Sequence, residues 1–296
     1  MKKEFDFTII IPTYNRDKFI FDTIQTVLDQ EYQNFEIIVI DDGSTDNTRQ
    51  ILESINDPRL KCVFKVNEER AVARNTGIKL AKGKYLTFLD SDDRLFRNHF
   101  QTAQNFISAH ENVAVFHLAY QIRNVSTNQI NKIIPKQNTL NNLLIKGNPL
   151  SCNGVFIRSD ISKQNLFNEN RDLTTLEDWE LWLRLSTEFP IFTITTVTSE
   201  ILNHEKRSVL MDDKNKLILK FEVFMKLILN NQKILAHHGG KLNQFKSSCY
   251  TYISLHLALA KKNRLSALKY LVKGVSFSPK SIFTRRFLAI IKHLIV

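Results

Sequence analysis

The chain has 296 residues, of which 43% are hydrophobic and 24% charged, and its formal net charge is +11. This is the composition of a folded protein with one large α/β domain or two small ones, and it excludes disordered and fibrous classes. Cys62, Cys152 and Cys249 lie far apart with no CxxC pair, which excludes a disulfide framework, argues against a structural zinc site and points to reduced thiols.

The charge is unevenly spread. Lys206 to Val296 holds 18 Lys and Arg against 3 Asp and Glu, whereas Met1 to Glu205 holds 23 against 27. A basic back end should seek an anionic surface, and a mildly acidic front can use its carboxylates for chemistry. Glu4, Asp6 and Pro12 interrupt the N-terminal run, so no signal peptide is expected. No stretch approaches the ~18 apolar residues of a membrane span.

In chain order, Phe7 to Ile11 reads as a strand ended by Pro12. Asp17 to Gln30 reads as a helix, with Phe19, Ile20, Ile24, Val27 and Leu28 at helical spacing. Phe35 to Ile40 is a second strand. Gly43-Ser44 turns the chain into a helix capped by Ser44 or Asp46 and running towards Ile55. Cys62 to Val66 is a third strand, Ala71 to Ala81 a helix stopped by Gly83, and Tyr85 to Leu89 a fourth strand followed by Asp90-Ser91-Asp92-Asp93. This βαβαβαβ order predicts a mainly parallel sheet flanked by helices, with all strand carboxyl ends on one edge, where such sheets bind ligands. Pro12-Thr13-Tyr14, Asp41-Asp42, Asn67 and Asp90-Ser91-Asp92 should therefore converge.

GxGxxG is missing after the first strand, and GxxxxGK[ST], GxSxG and HExxH are absent from the chain, which weakens a dinucleotide fold and excludes a P-loop. An acidic cluster at strand ends cannot bind phosphate directly. It can hold a hard divalent cation that bridges to phosphate oxygens. Asp90 and Asp92 suit that role; a solvated turn is the bland alternative for a lone DxD.

Five segments in order, Ile10-Ile11-Pro12-Thr13-Tyr14-Asn15-Arg16, Ile38 to Asp46, Ala73-Arg74-Asn75-Thr76-Gly77, Ala81 to Tyr85 and Phe88 to Asp93, together with Leu176 to Leu185, resemble the family 2 glycosyltransferases. The resemblance covers roughly Phe5 to His204 and implies a GT-A (Rossmann-like) fold. It divides the chain into a nucleotide-sugar-binding half (1–125), an acceptor-binding and catalytic-base half (126–205) and a basic helical C-terminal region (206–296). One departure is Asn67-Glu68-Glu69-Arg70, where relatives often carry glycines; its two acids are expected near the diphosphate edge or pointing to solvent.

The resemblance also implies residue roles. Pro12 and Tyr14 line the nucleobase pocket, and Asp42 accepts a hydrogen bond from the base, favouring uracil. Asp41 orients its loop or caps a helix. Arg74 pairs with the diphosphate or the base, or else forms a surface salt bridge, while Asn75 and Gly77 shape helix packing. Asp90 contacts the ribose, and Asp92 binds Mn2+ or Mg2+. His204 completes the metal site or meets the phosphates, or is merely solvated. Asp93 is a weaker candidate that caps a helix. Glu177 and Asp178 form the acceptor-side pair, with Asp178 as the general base of an inverting reaction; an acidic first helical turn is the alternative. Trp182 contacts a sugar or packs in the core. Ser151 to Arg158 lies at the acceptor pocket, with Cys152 as a small buried residue rather than a nucleophile.

From Lys206 onward the chain reads as helices. The middle ones are expected to pack an apolar stripe on the catalytic domain. In Ser281 to Val296, Phe283, Phe287, Ile290, Ile291 and Leu294 share a face that suits an anionic membrane surface, with packing on the catalytic domain as the alternative. Nucleic-acid binding lacks any recognition motif. The expected protein is a cytoplasmic, metal-dependent, inverting glycosyltransferase, with peripheral attachment to the inner face of the plasma membrane left open. It moves a sugar from a nucleotide-diphosphate donor, UDP favoured, to a hydroxyl of a polysaccharide or lipid-linked glycan in cell-envelope biosynthesis. The rivals are a nucleotidyltransferase and a catalytically inactive sugar-nucleotide-binding protein.

Overall fold

The computed structural model describes residues 5–204, 214–260 and 263–295. The apolar blocks of the front half form β1 (Phe7–Thr13), β2 (Phe35–Asp41), β3 (Leu60–Phe64) and β4 (Tyr85–Phe88), separated by α1 (Ile20–Leu28), α2 (Thr48–Ser54) and α3 (Arg70–Leu80). β5 (Arg94–Leu95), α4 (His99–Ala109), β6 (Val115–Asn124), β7 (Ile130–Ile133), α5 (Asn141–Leu144), β8 (Val155–Arg158), α6 (Ser159–Gln164), α7 (Glu177–Leu185) and β9 (Ile191–Asn203) follow.

One sheet holds all nine strands in the order β3-β2-β1-β4-β8-β6-β9-β5, with β7 beside β6. The first four run parallel, as expected, and β6 runs parallel to β9. β8 is antiparallel to both β4 and β6, so it is a reversed strand inside an otherwise mainly parallel sheet. The sheet crosses residue 125 without a break, so the first two expected segments share it.

Alternation along the strands divides the core between the two faces. Ile10, Ile38, Ile40 and Phe88 join one apolar cluster with Ala73 and Ile78 of α3. Ile9, Ile11, Ile37 and Val39 join the other with Ile20, Ile24 and Val27 of α1. Gly77 lets α3 sit tight on β1, because a Cβ there would lie 2.4 Å from Ile10 Cγ2.

β1 does not stop at Pro12. Pro12 pairs with Ile40 and the strand runs on to Thr13. Ile10 O accepts from Leu89 N, so the nitrogen of Pro12, two residues on, faces the β4 side; β4 pairs with β1 only as far as Ile10, and no ladder bond is lost. At α2 the N-cap position falls on Asn47 rather than Ser44 or Asp46. Asp46 instead accepts Thr48 N (3.0 Å) and Asp17 N (3.2 Å), tying the post-β1 loop to this helix.

The basic back end forms α8 (Lys214–Asn230), α9 (Gln232–His238), α10 (Leu242–Leu259), α11 (Arg264–Phe277) and α12 (Arg285–Ile295). The expected helical start at 206 and the readings of Met1 to Glu4 and Glu205 lie outside the described residues. The middle helices pack as anticipated: Trp179 of α7 meets the rings of Phe224 (4.8 Å) and Phe245 (5.9 Å). Burial of each such ring contributes about 1.5–3 kcal/mol. For the last helix the packed alternative holds. Ile290 is buried and Phe287, Ile291 and Leu294 pack against the same core cluster, so the apolar face assigned to a membrane covers protein instead. Phe283, assigned to that face, precedes α12 and is exposed. No helix among the described residues is long and apolar enough to cross a membrane.

Candidate active site

A cavity of about 570 Å³ opens at the carboxyl edge of β1, β2 and β4. Pro12, Tyr14, Asp42, Arg74, Asp90, Asp92, Glu177 and Asp178 all line it, so residues up to 166 positions apart in sequence share one space. His204 is not in the lining. It follows β9 and reaches the cavity indirectly, with Nε2 3.2 Å from Asp92 Oδ2 and its ring stacked on Phe19.

Asp42 follows β2, where the loop after β3 closes over it. Its carboxylate accepts Lys65 Nζ (2.7 Å), Glu68 N (3.0 Å) and Glu69 N (2.8 Å). The acidic departure in this loop thus acts through its backbone amides. Glu68 turns outward to Lys65, while Glu69 stays at the cavity. Glu69 holds φ +77° and ψ 160°, a conformation otherwise reserved for glycine. Asp41 accepts Ser44 N and fixes the turn rather than facing the cavity.

Arg74 lines the cavity but departs from one of the two expectations made for it. It is 1% exposed, so it is not in a surface salt bridge. Its guanidinium is committed between two carboxylates: Nη1 donates to Glu177 Oε1 (2.7 Å) and Nη2 to Asp90 Oδ1 (2.8 Å), over the ring of Phe167. Arg74 therefore braces Asp90 against Glu177. Asn75, one residue on, fastens α3 to the Phe167 backbone in both directions.

Asp92 is buried and holds two basic groups, Arg16 Nε (3.4 Å) and His204 Nε2 (3.2 Å), on the same Oδ2. Asp93 is structural: it accepts Leu202 N (2.9 Å) and Asn153 Nδ2 (3.0 Å), joining the acidic turn to β9 and the segment before β8. Among the described residues no group of three His, Cys, Asp or Glu side chains is arranged to hold a metal. Two facing donors at a cavity still fit Mg2+ or Mn2+, which take one or two protein ligands and complete their shell with phosphate oxygens and water. Among the described residues His204 Nδ1 is buried without a hydrogen-bond partner, so the ring is held by Nε2 and by its stacking on Phe19.

Asp178 lies in the first turn of α7. Thr175, just before the helix, holds φ +80°, an unusual conformation for a β-branched residue, and lines the cavity. The half-buried Asp178 carboxylate accepts Asn148 Nδ2 (3.1 Å) and Trp179 N (2.6 Å), with the Cys152 thiol 3.9 Å away. Burial, and then the negative Glu177 beside it, push Asp178 up to about 7, while Arg74 pulls the other way. A carboxylate so poised takes a proton near neutral pH. Burial also pushes the Cys152 thiol well up, which suits a packing residue rather than a nucleophile. Trp182 is fully buried against Phe167 and does not reach the cavity.

Sequence reasoning left Arg16, Lys65 and Asn148 without roles. Arg16 sits in the first of the family-like segments, and Lys65 lies near the end of a predicted strand, so both carried a positional signal. Asn148 lies in a loop with no motif, and nothing in its neighbourhood announces a partner 30 residues away.

The family model described as Glycosyl transferase family 2 matches residues 8–164, more than half of the chain. Among curated proteins, the Escherichia coli UDP-Glc:alpha-D-GlcNAc-diphosphoundecaprenol beta-1,3-glucosyltransferase WfgD is 33% identical over 179 residues, 60% of this chain and 68% of that one. An uncharacterized glycosyltransferase of Rickettsia bellii is 34% identical over 190 residues; the match spans only 26% of that protein. Among solved structures, S. aureus TarS 1-349 in complex with UDP-GlcNAc superposes with a TM-score of 0.64 at 20% identity, covering 93% of this chain and 90% of that one. Mannosyltransferase PcManGT from Pyrobaculum calidifontis, in complex with GDP-Man and Mn2+, gives 0.59 at 18% identity, covering 98% and 86%. The likeness to these two structures is one of fold, GT-A-like with a helical C-terminal extension. Family match, strand order and the acidic strand-end cavity agree, and the chain belongs to glycosyl transferase family 2.

Proposed function

We propose that the protein is a sugar transferase that moves a hexose from a nucleotide-diphosphate donor, UDP favoured, to a hydroxyl of a lipid-linked glycan or polysaccharide, with inversion at the anomeric carbon. The observation that carries this reading is the single cavity lined by Asp42, Asp90, Asp92 and Asp178. The donors and acceptor named for WfgD and TarS support the choice of UDP-sugar and of a diphosphate-linked lipid acceptor.

In this reading Pro12 and Tyr14 form a wall for the base, and the Asp42 carboxylate, fixed by Lys65 and two backbone amides, receives the imide N–H. Asp90, held by Arg74, receives a ribose hydroxyl. Asp178 takes the proton from the acceptor hydroxyl while that oxygen bonds to the anomeric carbon. The bond from carbon to the diphosphate oxygen breaks on the opposite face and nucleoside diphosphate leaves. A divalent cation held by Asp92 and His204 would supply neutralisation of charge on the leaving diphosphate; the Mn2+ complex of PcManGT supports that assignment. Arg16 stands ready beside the same charge. Action at the cytoplasmic face of a membrane, with basic C-terminal helices towards anionic lipid, suits a lipid-linked acceptor.

The test is release of nucleoside diphosphate and transfer of radiolabelled sugar from a panel of UDP-sugars to diphosphate-linked lipid acceptors with manganese. Asp178→Asn should bind donor without transfer, and Asp92→Ala should lose nearly all manganese-dependent turnover. Transfer by Asp178→Asn at the wild-type rate would remove the assigned base. Donor binding by the wild-type protein with no release of nucleoside diphosphate would favour a silent binding protein.

A further inference from the structure

A second recess, of about 410 Å³, lies in the helical C-terminal region, away from the acidic cavity in both residues and charge. Gln244, Ser247, Ser248 and Thr251 present one face of α10 to it, at positions i, i+3, i+4 and i+7. Ser278, Ser281 and Thr284 supply further hydroxyls from the connection into α12. Lys146, Lys280 and Arg286 bring positive charge from three separate segments, and no acidic residue lines the space.

The Ser248, Thr251 and Thr284 hydroxyls already donate to Lys146 O, Ser247 O and Ser281 O, but other groups of the recess are left over by the protein itself. Arg286 is partly buried; its guanidinium lies over the Tyr252 ring (5.7 Å) and its hydrogen bonds run from Nη1 to neutral oxygens: Ser248 O (3.0 Å), Ser248 Oγ (3.1 Å) and Thr251 Oγ1 (3.3 Å). Among the described residues it meets no carboxylate, and neither Lys146 Nζ nor Lys280 Nζ has a hydrogen-bond or ion-pair partner. Ser281 is 9% exposed and its Oγ is buried with no hydrogen-bond partner. Burial pulls the Arg286 guanidinium below its ordinary value, the sign of a cation with no compensating anion. A buried cation and an orphaned hydroxyl both cost stability unless a ligand completes them.

We infer that this recess binds a phosphate or diphosphate group, with Lys146, Lys280 and Arg286 neutralising it and the Ser281 hydroxyl donating to one of its oxygens. Several acceptor oxygens on one dianion match this set of donors, and a carboxylate would satisfy fewer of them. Ile282 and Phe283, between Ser281 and Thr284 in the chain, are exposed, Phe283 by 85%. They leave an apolar rim for a phosphate carried on a lipid. The site does not depend on the catalytic reading.

The probes are inorganic pyrophosphate, in chelator so that no cation bridges it to the acidic cavity, and phosphatidylcholine vesicles with or without phosphatidic acid. Calorimetric titration reads the first and co-sedimentation the second. The wild-type protein should bind pyrophosphate, more weakly as salt rises. The double variant Lys146→Gln/Lys280→Gln should bind about tenfold more weakly or worse, because each lost charged donor weakens the site. Ser281→Ala should weaken it less. Asp92→Asn should bind as wild type, which separates this site from the catalytic one. Circular dichroism and retained UDP binding show that the lysine variant is folded. Lysine-dependent binding to phosphatidic acid vesicles as well identifies a membrane-borne phosphate; lysine-dependent binding of pyrophosphate alone identifies a soluble one. No binding of either probe, or binding unaffected by the lysine substitutions, overturns the proposal.

Discussion

Arg74 is the residue whose removal should disturb the most. Methionine keeps much of its length and removes its charge. The guanidinium is buried and satisfies Glu177 at 2.7 Å and Asp90 at 2.8 Å. Glu177 Oε2 has no hydrogen-bond partner, so losing Arg74 strips that side chain of its closest cation; Arg70 Nε is 4.0 Å away. Removing one partner of a buried ion pair costs about 3–5 kcal/mol, because the remaining charge is neither solvated nor paired. Arg74→Met should lower the urea-unfolding free energy by that amount near neutral pH. Part of the loss should depend on pH. Arg74 pulls Asp178 down, so without it Asp178 rises further above about 7. A raised acid binds its proton more tightly in the folded state. Its stabilising contribution is present at low pH and is lost as pH rises from the unfolded value near 4 through the folded one. The deficit should therefore be smaller at about pH 5 than at about pH 8. A loss below about 1 kcal/mol, or one equal at both pH values, would refute the account of Arg74 as the brace between the two acids.

Asp178→Asn should reduce turnover by about 10²–10⁴-fold with little change in donor binding, measured by transfer kinetics and by UDP titration. Wild-type activity should rise with pH around a midpoint of about 7, because the base works only after losing its proton; a flat profile from pH 5 to 9 would contradict the elevated carboxyl. Glu69→Gly should relieve the positive-φ strain and, after the entropy that glycine adds to the unfolded chain, raise stability by about 1 kcal/mol, read by urea denaturation. Gly83→Ala should destabilise by about 1–3 kcal/mol, since the added Cβ would lie 2.5 Å from backbone atoms of Phe7 and Thr8 that cannot move aside; a neutral result would show that the strand shifts freely.

Much of the front half was legible from the chain because its signals are local. Ile9 to Ile11 and Ile37 to Ile40 are apolar blocks of strand length, and Gly83 and the aspartates mark where they start and stop. Parallel crossovers then force the strand ends together, so the convergence of Asp42, Asp90 and Asp92 follows from pattern and handedness. The reversed β8 carried no such signal, since a four-residue apolar strand reads the same in either direction.

Partnerships were a different matter. Nothing near Arg74 reveals that its partner is 103 residues away, because pairing across the fold is set by where backbones lie. The same holds for Arg16 and His204, which meet on Asp92. The last helix shows the limit most clearly. Its apolar periodicity is set by the sequence alone, but a stripe of Phe287, Ile290, Ile291 and Leu294 gains by leaving water whether it meets lipid or protein. Only the tertiary packing decided that it faces inward and that the cations Lys280 and Arg286 gather with Lys146 around a recess.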